Sequence, residues 1–145
     1  MPKAPPITAR EYRALSELRY AIRRFLEFSE GAARTADVEP QQHQLLLALK
    51  GLPEDQRPTV GAVAERLRLQ HNSAVELAKR SIERGLVERL ESESDRREVL
   101  LRITRKGEGV LRRLSLAHRA ELRSAAPALT KALEALVGKR PREKG

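Results

Sequence analysis

Chemically capable side chains concentrate in two short stretches of this sequence. In the first, Gln70-His71-Asn72-Ser73 is followed one turn on by Glu76 and then by Lys79 and Arg80, so amide, hydroxyl and charged groups recur at helical spacing. Asn and Gln can pair with adenine through two hydrogen bonds, whereas Lys and Arg reach guanine or phosphate, so this set suits the reading of a base edge. His71 is open to a base contact, a phosphate contact or simple exposure. In the second stretch, Ser94-Asp95-Arg96-Arg97, two guanidiniums follow an acid. Arginine suits a narrow minor groove, where the negative potential is strongest. Asp95 would be repelled by phosphate, and is expected to hold a neighbouring arginine through a charge-assisted hydrogen bond. Glu65, Glu76, Glu83, Asp95 and Glu98 form no acid–base pair with a nucleophile, so no enzyme is expected. There is no cysteine, and His43, His71 and His118 are scattered, so neither a metal site nor a cofactor is expected.

These residues need elements to position them. Thr59 can cap a short helix carrying Val60, Val63, Ala64 and Leu67; 68–72 reads as a turn; and Ser73-Ala74-Val75-Glu76 has the form of a capping box opening a second helix. That helix is expected to turn Val75, Ala78 and Ile82 inward, with Leu77 at their edge, and to stop at Gly85, which takes a left-handed conformation without strain. The period then changes. Leu86 to Leu90 and Val99 to Ile103 read as two strands joined by a charged loop, and Thr104 can cap a further helix. Helix, short turn, helix and hairpin make a winged helix-turn-helix, with its reading head at 58–104. The fold expected is mainly α with a small antiparallel β wing.

Helices flank this head. Thr8-Ala9-Arg10-Glu11 is a capping box for a long helix bearing Leu15, Leu18, Ile22, Phe25 and Leu26 on one stripe, weakened at Gly31. A second helix starts near Pro40 and ends at Gly51. Beyond Thr104, Pro127 is expected to break or kink the helix, leaving a last one with Leu129, Leu133 and Leu136. The two terminal stripes can pack within one subunit or between two; separated helices with little local core favour burial between subunits, hence a homodimer.

The charge is unevenly placed. Of a formal net charge of +9, residues 57–113 carry 14 basic against 9 acidic side chains, whereas residues 1–56 carry 8 of each, and 139–145 form a short basic tail, expected to be disordered. A basic half beside a neutral half points to a polyanion-binding part and a part with another task. Charge alone leaves membrane surface, RNA and DNA open. No long apolar run suggests a membrane span, and without a secretory segment the cytoplasm is the expected compartment.

Together these features resemble the MarR family of transcriptional regulators. The matching stretches are Val63-Ala64-Glu65-Arg66-Leu67, the run from His71 through Ala78 to Gly85-Leu86-Val87, and Asp95-Arg96-Arg97 leading to Ile103-Thr104 and Gly107. The resemblance implies dimerisation helices at 8–36 and 105–138, with Leu15, Leu18, Ile22, Leu129, Leu133 and Leu136 between subunits, around a DNA-binding region at 37–104. It implies a homodimer on double-stranded DNA, a repressor at a near-palindromic operator, with Ser73 and Lys79 on the reading helix and Arg96 or Arg97 on the wing. It also implies, as in many relatives, release by a small aromatic or phenolic effector in a crevice for which Tyr12, Tyr20, Arg19, Arg23 and His43 are candidates; the alternative is that these are core and surface residues without a ligand. A non-specific architectural DNA binder and a winged-helix protein-interaction module are the competing readings. The absence of cysteine excludes peroxide sensing of the kind some members perform, and the absence of tryptophan leaves the urate-sensing pattern incomplete.

Overall fold

The computed structural model describes residues 3–91 and 98–138. They form α1 (Ala9–Thr35), α2 (Pro40–Lys50), α3 (Val60–Leu67), α4 (His71–Glu83), β1 (Val87–Glu91), β2 (Val99–Ile103) and α5 (Arg105–Val137). Helices dominate, and the two strands pair antiparallel with Val87 opposite Ile103 and Glu91 opposite Val99, the wing that the sequence predicts. Contacts divide the chain into two compact units. One holds the chain up to Ser29 together with that from His118 onward, and the other is Glu30–Ala117.

In the Glu30–Ala117 unit, α3 packs on α4, α2 packs on both, and the strands close over α2, α3 and α4. Leu45, Leu46, Val63, Leu77, Leu86, Val87 and Leu101 are almost wholly buried there. The core also takes in Ala33 from the end of α1 and Val110, Leu111 and Leu114 from the start of α5. Each flanking helix therefore gives an apolar turn to this core.

Local signals set the helix ends. Thr8 and Glu11 exchange the two bonds of a capping box, at 3.0 and 3.1 Å, and α1 then runs through Gly31 without interruption. Thr59 Oγ1 accepts from the Ala62 amide at 3.0 Å and starts α3. Three helices close through the same paired motif, in which two amides beyond the end turn back to carbonyls of the last turn. These are Asp37 and Val38 to Arg34 and Ala33, Arg68 and Leu69 to Glu65 and Ala64, and Gly85 and Leu86 to Ile82 and Ser81. Each needs a left-handed residue, and it is glycine only at the last: φ is 59° at Asp37, 56° at Arg68 and 71° at Gly85.

Three local expectations are corrected. α4 begins at His71, not Ser73: Gln70 is its extended N-cap, and Ser73 and Glu76 already lie inside the helix. The inward face is Ala74, Leu77, Ala78 and Ser81, whereas Val75 is half-buried and Ile82 exposed. Ser81 passes as an apolar residue because its hydroxyl donates to the Leu77 carbonyl one turn back, at 2.8 Å, which satisfies it within its own helix. Finally, α5 is one helix of 33 residues with Pro127 inside it. Ala125, Ala126 and Ala128 beside that proline are the strongest helix formers.

In the other unit, the His118 ring lies edge-on to Phe25 and Phe28, with centroids 5.7 and 5.4 Å away, and its Nε2 is 2.8 Å from Ser29 Oγ. Leu15, Ile22 and Leu26 form an exposed row on α1, and Leu122, Leu133 and Val137 are exposed on α5. Leu18, Leu129 and Leu136 are half-buried.

Candidate nucleic-acid interface

The turn before α4 is made by Arg68, Leu69 and Gln70. Arg68 takes the left-handed conformation, and Leu69 packs against the core and pins the turn. With Ala74, Leu77, Ala78 and Ser81 facing inward, helical spacing turns Asn72, Ser73, Glu76 and Lys79 outward. Gln70, His71, Asn72, Ser73, Glu76 and Lys79 are all exposed, as a reading surface requires. Lys79 Nζ lies 3.4 Å from Glu76 Oε1, a pair open to solvent on both sides. Arg80 behaves differently: it is half-buried, and its Nε donates to Glu39 Oε2 at 3.0 Å.

The wing is fastened beside α4 at its base. The Leu101 amide donates to the Pro58 carbonyl at 2.9 Å, and Thr59 bridges Leu100, so the segment before α3 acts as a short third strand. Arg57 and Glu98 form an ion pair at 2.5 Å across the same join, and Arg102 Nε donates to Glu88 Oε1 at 2.5 Å across the hairpin. Asp95, Arg96 and Arg97 lie outside the described residues.

Between α4 and the wing runs a groove of about 400 Å³. Val75, Ala78, Ile82 and Val99 form its apolar side, and His71, Lys79, Arg89 and Glu98 its polar rim. Sequence reasoning missed Arg89. Strand alternation places it on the face of buried Val87, and therefore toward α4, a signal that the sequence did carry.

Tyr12, Arg19, Tyr20 and Arg23 are exposed on α1 in the first unit, and His43 is buried in the second. Tyr20 lines a cavity of about 250 Å³ with Glu17, Arg24, Phe25, Glu121 and Ser124; the Arg24 guanidinium sits 5.7 Å from the Tyr20 ring centre. Among the described residues no group of three His, Asp or Glu side chains is placed to hold a metal ion, and no helix is long and apolar enough to cross a membrane.

Comparison with known proteins adds to this geometry. Residues 36–98 match the model of the MarR family. Among solved structures, AbsC, a MarR family transcriptional regulator from Streptomyces coelicolor, superposes with a TM-score of 0.70 at 21% identity, covering 92% of this chain and 94% of its own. CouR, a transcriptional repressor bound to a 23-mer DNA duplex, gives 0.64 at 26% identity, over 82% of this chain and 88% of its own. A cysteine-to-serine mutant of MarR from E. coli, complexed with operator DNA, gives 0.62 at 16% identity, over 82% and 89%. No curated protein sequence matches the chain.

Proposed function

From residues 36–98, which belong to the MarR family, and from a fold shared with that family's regulators, we propose that this protein is a transcriptional regulator that binds double-stranded DNA sequence-specifically, as a homodimer on a near-palindromic operator, and represses. One observation carries the reading. The first three turns of α4 present Asn72, Ser73, Glu76 and Lys79 outward beside a wing, on a helix whose inner face is closed by Ala74, Leu77 and Ala78. A helix held in this way fits the major groove, and the wing flanks it toward the backbone. Two relatives of the same fold are bound to DNA, which supports the choice of partner.

The test is selection from a randomised duplex pool by the full-length protein, followed by titration of the recovered duplex and of a random one. A preference of roughly a thousandfold or more is expected. Equal binding to both would point to an architectural DNA binder, and no binding at low salt to a protein-interaction module. In the same assay Asn72→Ala should lose discrimination at one base position of each half-site, by about 1–3 kcal/mol. An unaltered preference there would remove Asn72 from the reading set.

Release of DNA by a small aromatic effector belongs to the same proposal, supported by the cavity at Tyr20. The Tyr20 and Phe25 rings suit stacking of a planar ring, and the Glu17 and Glu121 carboxylates on the same lining suit a neutral phenol that donates its hydroxyl rather than an anion. Phenol, used as the probe, should weaken binding to the recovered duplex, and Tyr20→Ala should abolish that response; an equal response in the variant would place the effector elsewhere.

A further inference from the structure

The same helix that carries the reading surface is tied down on its far side, and we propose that Arg80 and Arg84 are positioning residues that fix the orientation of α4, and with it sequence discrimination. The inference rests on the DNA-reading function proposed above. Arg80 Nε donates to Glu39 Oε2 at 3.0 Å, while Arg84 Nη2 donates to the main-chain carbonyl of Asp37 and to its Oδ2 at 3.2 Å. The two arginines are one helical turn apart and so share a face of α4. Their partners flank buried Val38 at the corner where left-handed Asp37 closes α1 and Glu39 starts α2. The ties thus span 41 and 47 residues of sequence and meet at one corner.

The reason for two such ties lies in what α4 lacks. Its buried face consists of Ala74, Ala78 and Ser81 with Leu77 as the one large side chain, so few interlocking knobs oppose rolling or sliding of the helix. Solvent-exposed ion pairs add little stability, typically below about 1 kcal/mol. What they supply is geometry. A helix that rolls by a fraction of a turn carries Asn72 and Ser73 off their base edges while its cations still reach phosphate.

Removing the acids tests this by the sign of the effect. Asp37→Asn removes the charged half of the Arg84 tie, leaving its bond to the main-chain carbonyl, and preserves a residue that tolerates the left-handed conformation; Glu39→Gln removes the charge facing Arg80 and preserves a polar start to α2. The double variant loses two negative charges, so its affinity for random duplex should hold or rise. If the arginines position α4, its preference for the selected duplex over the random one should fall by about tenfold, the scale of one lost base contact. Arg80→Lys with Arg84→Lys, which keeps both charges, should reduce the preference likewise. If the arginines instead serve as phosphate ligands, freeing them raises both affinities together and leaves the ratio unchanged, which overturns the inference while the regulator reading stands. A wild-type protein that does not discriminate at all overturns that reading and this inference with it. Thermal unfolding of both variants should stay within a few degrees of the wild type, as expected for exposed pairs; a large fall with an unchanged preference would show that the ties serve stability alone.

Discussion

Alanine at position 107 is expected to destabilise the Glu30–Ala117 unit by about 3 kcal/mol, read as a lower urea midpoint at unchanged slope. The direction is opposite to the usual one, since replacing glycine by alanine inside a helix ordinarily gains about 1 kcal/mol. At Gly107 an added Cβ would stand 2.1 Å from the Leu86 carbonyl oxygen and 2.9 Å from Ile103 Cγ2. The first of these is backbone, fixed by the Thr104 amide that donates to it at 3.0 Å, and cannot rotate away. Gly109 provides the control: it lies in the same helix with nothing within 4 Å of the added atom, and Gly109→Ala should stabilise slightly. Equal behaviour of the two variants would mean that the start of α5 is not seated on Leu86.

A second large effect is expected on assembly. Leu15 and Ile22 are 43% and 45% exposed at heptad spacing on α1, with Leu26 continuing the row. On the proposed homodimer this row is covered by the other subunit. Leu15→Glu with Ile22→Glu should therefore leave the helical content of the protomer intact while sedimentation shows monomers. Affinity for the selected duplex should drop by about a hundredfold or more, because two half-site contacts are no longer linked. Leu18 would answer less clearly, since it is half-buried within the protomer and a charge there tests folding as well. A persisting dimer would remove the α1 row from the interface and leave Leu129, Leu133 and Leu136 to carry it.

Much of this architecture is legible in the sequence because local chemistry decides it. The reciprocal bonds of Thr8 and Glu11, the Thr59 cap and the Gly85 stop each depend on residues within a few positions of one another. The start of α4 was not legible, because Ser73 and Glu76 have the composition of a capping box while the actual cap, Gln70, makes no side-chain bond to the helix. The buried face of α4 was misread for a related reason: a serine that bonds to its own helix does not announce its burial, and Val75 and Ile82 look more apolar than they are buried. Arg80 shows the limit most clearly. Sequence spacing places it on the reading helix, but its carboxylate partner is 41 residues away, and no local pattern connects them.

The join at Thr104 bears on how the native state opens. Thr104 donates its amide to the Leu86 carbonyl and its hydroxyl to the Gly85 carbonyl, while its Oγ1 accepts the Gly107 amide at 3.1 Å. The end of the hairpin and the first turn of α5 therefore share one set of hydrogen bonds. Parting the strands at Val87 and Ile103 strips that turn of its cap and of its seat on Leu86 together. Hairpin base and helix start thus belong to a single cooperative opening unit, whose amides exchange with solvent as one group.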